Sequence, residues 1–255
     1  MNEAAHKFLK MSCVGAWILI FQISGRAQGP QQGYLRLSGV PSGAQRFLLA
    51  AGTRLRRPGK ERITAVGSLS RNQDAASPVE ITWEFPQKIR IDAGQGPVIF
   101  DRGDPSQAIP PAREAADAVE TLLEDSLEGF FAAQPGGSIR FLGAGFRART
   151  GAPQEPSFEI VEVWSQSRFR NGAQPTVKQY WFDSRTKLLS RVIYRIAAVA
   201  GSDLVEVLWS DWRDVDGQKV AFQVERKEAG QATLRLALTS ALVSPKADDG
   251  RFSRR

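Results

Sequence analysis

Apolar and polar positions change period along this chain. Val79, Ile81, Trp83 and Phe85 alternate with Glu80, Thr82 and Glu84, which predicts a strand with one buried and one wet face. Ile63, Ala65 and Leu69 give a weaker alternation before it, and Ile89 with Ile91 a short one after it. Pro86 cannot donate to a sheet ladder and marks an edge or bulge. Gly94-Gln95-Gly96-Pro97 turns the chain into Val98-Ile99-Phe100. The period then lengthens: Val119, Leu122, Leu123, Leu127, Phe130 and Phe131 form one helical stripe between Pro110-Pro111 and Pro135-Gly136-Gly137. The opposite stripe carries Glu120, Glu124, Asp125 and Glu128. Membrane-surface helices have a basic polar face, so this helix is expected to pack on protein. A shorter helix is expected over 45–55, ended by Pro58-Gly59.

Strand patterns fill the remainder, over 138–149, 157–168, 175–183, 188–197, 203–212, 219–227 and 231–243. Asn171-Gly172, Asp183-Ser184, Asp216-Gly217 and Ala229-Gly230 supply turn chemistry between them. Short spacing without intervening helices predicts an antiparallel meander of about ten strands. The expected fold is α+β, mainly β: a strongly curved sheet, a half-barrel, covered by two or more helices.

The first residues stand apart. Lys7 and Lys10 precede an apolar run from Met11 to Ile23, and Ser24-Gly25-Arg26-Ala27 follows. That is the anatomy of a secretory signal peptide cut after Ala27, and the run is shorter than the ~20 residues of a membrane span. A flexible lead-in over 28–43 and one domain over 44–255 are expected, exported to the periplasm or secreted.

Export changes which chemistry is available. His6 and Cys13 are the chain's one histidine and one cysteine, and both precede the cut. The mature part therefore lacks disulfides, Ser-His-Asp or Cys-His catalysis and histidine-held metals. The chain has 34 Lys+Arg and 27 Asp+Glu; without Lys7, Lys10, Arg26 and Glu3 these become 31 and 26, a net +5. That balance favours transient contact with anionic membrane surfaces. Asp211, Asp214 and Asp216 resemble a calcium loop only superficially, since Trp212 occupies a ligand position and no closing glutamate follows. They read as a hairpin tip. Asp101 and Asp104 read as loop acids rather than a catalytic pair. Glu80 and Glu84 beside Trp83 argue against a nucleic-acid groove. No enzyme, metal or cofactor is expected.

The aromatic residues remain. Trp83, Trp164, Trp181, Trp209 and Trp212 all fall in expected strands, where large rings fill a core or line an apolar cavity. In YWFDSRTKLLSRVIYR, alternation puts Tyr180 and Phe182 on one face and Trp181 on the other. Either face could be the concave one.

Several stretches resemble the LolA-like family of periplasmic lipoprotein carriers. FLLAAGTRLRRPGKERITAVGSLS is similar to its opening helix and strand, and ITWEFPQKIRID to its strand-proline-arginine pattern with Pro86 and Arg90. YWFDSRTKLL resembles its Phe-Asp-x-x-Thr-x-Leu-Leu hairpin. WSDWRDVDGQKVAFQVERKEAG and ALVSPKADDGRF resemble its later strand pair and closing segment. There are departures: Asp104-Pro105 follows Gly103 where the family has an aromatic strand, and Ala221-Phe222 replaces Pro-Phe. The resemblance implies a monomeric carrier whose cavity holds an acyl chain or lipoprotein, with no covalent chemistry. Trp83, Phe85, Trp164, Trp181, Phe182, Trp209, Phe222, Leu123 and Phe130 are the expected cavity residues, with Arg90 as a polar contact near the mouth. The rival expectation is a structural or sensory envelope module whose cavity is self-filled and which works through a protein partner.

Overall fold

A computed structural model describes residues 61–72, 74–85, 87–94, 96–101, 113–132, 140–150, 156–166, 175–198, 201–247 and 250–252. The expected signal segment, the lead-in, the 45–55 helix, Pro86, Asp104 and Asn171-Gly172 lie outside these residues.

Eleven strands occur among the described residues. They are β1 (Glu61–Arg71), β2 (Ser77–Glu84), β3 (Lys88–Asp92), β4 (Pro97–Asp101), β5 (Arg140–Thr150) and β6 (Phe158–Gln166). β7 (Pro175–Asp183), β8 (Leu189–Ala198), β9 (Gly201–Val215), β10 (Gln218–Glu228) and β11 (Gln231–Pro245) complete them. All join one antiparallel sheet in the order β4-β3-β2-β1-β11-β10-β9-β8-β7-β6-β5. Neighbours in space are neighbours in sequence except at β1–β11, which joins the first and last strands.

This order decides where the helix goes. β4 and β5 are consecutive in the chain but lie at opposite edges of the sheet. Their connection must cross a sheet face, and it carries the helical segment. The expected single long helix is instead broken: α1 (Arg113–Val119), a π-helical turn (Glu120–Glu124) and α2 (Leu127–Ala132). Asp125 donates its backbone N–H to the Glu120 carbonyl at 2.9 Å, the i→i+5 bond of the π turn. The break leaves carbonyls at Leu122 and Leu123, which accept from Trp83 Nε1 (3.1 Å) and Ser126 Oγ (3.1 Å). Ser126 caps α2 by accepting from the Gly129 amide at 2.8 Å.

Gly129 permits the break. A Cβ there would lie 2.1 Å from the Leu123 carbonyl oxygen and 2.7 Å from that of Glu124. Gly129→Ala is therefore expected to cost about 1–3 kcal/mol, read by denaturant unfolding. A neutral effect would mean the π turn and α2 do not press together.

The sheet must wrap around this segment. Glu120 bonds Lys178 on β7, while Leu122, two residues on, bonds Trp83 on β2. In a flat sheet β2 and β7, six strand spacings apart, would be separated by about 29 Å. A helix with its side chains is only about 10–12 Å wide. One helical turn reaches both strands only because the sheet curves around it. The inner face supplies Ile81, Ile89, Ile91, Val192, Val207 and Leu236, all buried against Leu122, Leu123 and Leu127.

The hairpin tips follow turn chemistry. Asp216 (φ 51°) and Gly217 (φ 81°) both take left-handed conformations and join β9 to β10, and Gly217 donates to Asp214 at 2.9 Å. This is the expected hairpin tip. In DSRTK, Asp183 Oδ1 accepts from the Arg185 amide (3.0 Å), the Thr186 amide (2.6 Å) and Thr186 Oγ1 (2.9 Å). Those bonds explain Asp and Thr three apart between Tyr-Trp-Phe and Leu-Leu.

Candidate functional site

The inner face of the curved sheet and the 113–132 segment meet in two regions, one charged and one apolar. In the charged region the acidic stripe of the helix is buried, where the sequence pattern gave it no inward partner. Glu120 and Asp125 have no solvent exposure, and Glu124 and Glu128 are also buried. Their partners come from the sheet. Lys178 Nζ donates to Glu120 Oε1 (2.9 Å) and Asp125 Oδ1 (2.6 Å) and sits 4.4 Å from the Tyr194 ring centroid. Tyr194 donates its hydroxyl to Asp125 Oδ2 (3.0 Å) and accepts from Arg226 Nη1 (2.9 Å). Arg226 also donates to Thr121, Asp117 and Glu228 at 3.2, 3.3 and 2.6 Å.

Protonation follows from these contacts. Burial alone would lower the Lys178 ammonium, but Asp125 and Glu120 outweigh it and hold its pKa well above the ordinary value. Burial and the neighbouring acids push the Tyr194 phenol up, so it remains a donor to Asp125. Lys178, Tyr194 and Arg226 are at most 2 % exposed. The cluster clamps the segment to β7, β8 and β10.

The apolar region is a crevice of about 20 Å³. Trp83, Phe85, Trp209, Trp212, Leu122 and Val220 are among its walls. Trp209 and Trp212 are three apart, which regular alternation would place on opposite faces. Asp211 between them has φ 52°, and this left-handed residue turns the strand so that the two rings lie 6.4 Å apart. Glu128 is the carboxylate in the crevice wall, hydrogen-bonded by Gln218 Nε2 at 3.4 Å. Burial raises its pKa to about 7, against the smaller lowering by its own backbone amide and Gln218. A separate polar cavity of about 270 Å³ lies beside Arg71, Asn72, Asp117 and Arg226.

The structure brings together some of the expected cavity residues and separates others. Trp83, Phe85 and Trp209 meet at the crevice, with Trp83 and Phe85 stacked at 6.3 Å. Leu123 is buried in the same core. Phe130 packs on Phe182 (5.2 Å) and Tyr180 (4.8 Å), so Tyr180 and Phe182 face the segment. Trp181 lies on the outer face, against Phe158 (5.7 Å) and the Arg191 guanidinium (5.2 Å). Phe222 is buried under the Arg213 guanidinium at 4.1 Å, away from the crevice walls. Arg90 also belongs to the outer face, alternating with inward Ile89 and Ile91; it bonds Asp92 (2.7 Å) and the Arg251 carbonyl (2.7 Å). There it helps dock the 250–252 segment, whose Phe252 packs on Arg62 and Lys88. Trp164 pairs with Gly143 and Val177 in the ladder, and its side chain lies outside the described residues.

Lys178, Tyr194, Arg226, Trp212, Gln218 and Glu128 were not among the expected site residues. One signal was available: Lys178 is in phase with Tyr180 and Phe182, and Arg226 with Val224. Two cations on apolar strand faces require buried acids, and the helix carries four.

Solved structures share this fold. A LolA superfamily protein from Nitrosomonas europaea superposes with a TM-score of 0.52 at 11% identity, covering 83% of this chain and 97% of that one. The chain has a LolA-like fold. A DUF1329 family protein from Desulfovibrio piger aligns at a TM-score of 0.51 and 11% identity, over 85% of this chain and 98% of that one. A domain described as an outer membrane lipoprotein-sorting protein from Vibrio parahaemolyticus aligns at 0.50 and 8%, over 82% and 95%. No protein-family profile and no curated protein matches the sequence. The LolA-like sheet thus persists with little shared sequence, because alternation and turn residues specify it and many side chains satisfy both.

Proposed function

We propose that this is an exported, non-catalytic envelope protein that binds an acyl chain or lipoprotein between its curved sheet and the 113–132 segment. The supporting observation is the aromatic crevice at the seam between them. Its present volume, about 20 Å³, is close to that of one water, so the described form is closed. Cargo enters when the segment shifts. α1 has 7 residues and α2 has 6, too short to be stable helices without packing. Each cargo methylene buried contributes about 0.8 kcal/mol, so ten offset about 8 kcal/mol of opening. The LolA-like neighbours support this reading, as does the apolar run of 11–23 for export. In this reading the protein is a periplasmic or secreted monomer, and its positive charge favours transient contact with anionic membrane.

The small crevice also favours a second reading, a self-filled module that acts through a protein partner. Native mass spectrometry of protein expressed with its leader separates the two. Co-purified lipid, and saturable binding of an environment-sensitive fatty-acid probe, are expected for the carrier. A bare mass without probe binding would sink it. Phe182→Ala should change probe affinity by about fivefold or more, whereas Trp181→Ala, on the outer face, should change it less than twofold. Equal effects would place the ligand elsewhere.

A further inference from the structure

Three residues stand abreast on the inner face of the sheet. Arg71 on β1 pairs with Leu234 on β11, which pairs with Arg226 on β10. Residues opposite each other in an antiparallel ladder share a face, so Arg71 lies about 10 Å from Arg226 on the side that carries the helical segment. All three line the polar cavity of about 270 Å³, together with Glu114 and Asp117 on α1 and Glu228 on β10. Asp117 and Glu228 are held by Arg226. Arg71 and Glu114 are not. Among the described residues neither side chain has a hydrogen-bond or ion-pair partner, and Arg71 Nε is buried without an acceptor. A cation and an acid thus line one cavity without reaching each other, and the space between them suits a ligand that carries both charges.

We propose that this cavity binds a zwitterion with a primary ammonium and a phosphate, the headgroup of an aminophospholipid, with the phosphate at Arg71 and the ammonium at Glu114. The lipid source rests on the acyl-binding reading. The next inner row along the same strands is Leu69, Leu236 and Val224, about 7 Å away, and the last two are walls of the aromatic crevice. A tail in the crevice therefore places its headgroup beside this cavity. A guanidinium matches a phosphate with two parallel N–H bonds. Three acids against two guanidinium groups leave the walls one negative charge in excess, which disfavours an anionic headgroup. No aromatic ring lines the cavity among the described residues, so a quaternary ammonium, which has no N–H to donate, finds neither a hydrogen bond nor a ring face. A primary ammonium has N–H groups for the acids.

The test compares headgroups on one tail. Myristoyl lysophosphatidylethanolamine, lysophosphatidylcholine and lysophosphatidylglycerol are titrated below their micelle-forming concentrations into the full chain at neutral pH, read by calorimetry. The ethanolamine lipid is expected to bind about tenfold more tightly than the other two, the effect of one charge-assisted hydrogen bond. Glu114→Gln, checked for folding by circular dichroism, should cut that preference to about threefold or less. Arg71→Gln, checked in the same way, should weaken all three lipids by about fivefold or more and leave tetradecanol, which has no phosphate, within about twofold. Equal affinity for the three lipids, or a preference for another headgroup, overturns the headgroup assignment while acyl binding stands. Variants that behave as wild type overturn the roles of Arg71 and Glu114. If neither the lysolipids nor tetradecanol binds, the acyl-binding reading fails, and free O-phosphoethanolamine tests the cavity alone. Saturable binding that both variants lose then assigns the site to a soluble zwitterion, and no binding overturns the site as well.

Discussion

Lys178→Met is expected to lower the unfolding free energy by about 3–5 kcal/mol. Lys178 bonds Glu120 and Asp125, both without solvent exposure, and methionine would leave Glu120 with Arg226 at 3.7 Å and Asp125 with the Tyr194 hydroxyl as partners of two buried carboxyls. The loss would arise from the under-compensated buried acids more than from the ion pair itself, because desolvating the charges offsets much of their attraction. Adding Glu120→Gln and Asp125→Asn to the Lys178 variant should therefore recover a large part of the stability. Denaturant unfolding of wild type, single and triple variants measures this. A triple variant no more stable than the single one would show that attraction, rather than relief of desolvation, dominates. The clamp fixes where the 113–132 segment seats at modest net stability, which is compatible with the shift proposed for that segment.

The second large effect is a pH dependence at Glu128. Its pKa rises from the ordinary 4.5 to about 7 because the carboxyl is buried, so the folded state holds a proton that the unfolded state releases between those values. Stability falls wherever the folded state binds more protons, so this contribution is fully present below pH 4.5 and lost as pH rises through 7. The shift corresponds to about 3 kcal/mol. Glu128→Gln keeps the shape and removes the titration. Relative to wild type, the variant should gain roughly that amount between pH 4.5 and 8. A difference that stays flat across this range would mean the carboxyl is not desolvated. The same loss in wild type loosens α2 above neutral pH, at the wall where cargo is proposed to enter.

The strands and their turns were legible because they are local. Val79, Ile81, Trp83 and Phe85 are buried as their alternation predicts, although Thr82 and Glu84 on the expected wet face are covered as well, and Asp216-Gly217 and Asp183–Thr186 carry their own turn bonds. The resemblance to LolA-like proteins rested on the order of such pieces, and the fold agrees with it. The helical stripe was legible too, but its break was not. The π turn depends on Gly129 meeting backbone carbonyls and on Trp83, 39 residues away in sequence, taking the Leu122 carbonyl. The pairing of Trp209 with Trp212 required a left-handed Asp211, which no periodicity reveals. Arg90 carried the right charge for a mouth residue, but its strand phase puts it on the outer face, where Asp92 and Arg251 hold it.

The sequence by itself determined the alternation that makes an antiparallel meander, the turn residues that close its hairpins, and one helix with an oily and an acidic face. Those are short-range properties, set by backbone geometry and side-chain period. The tertiary structure alone decided that β4 and β5 lie at opposite edges, so that the helix crosses the sheet. It also decided that Tyr180 and Phe182, not Trp181, face that helix, and that Lys178, Tyr194 and Arg226 receive its acids. The physical reason is curvature. Residues distant in the chain become neighbours only when the sheet wraps around the segment, and no local pattern records which of them will meet.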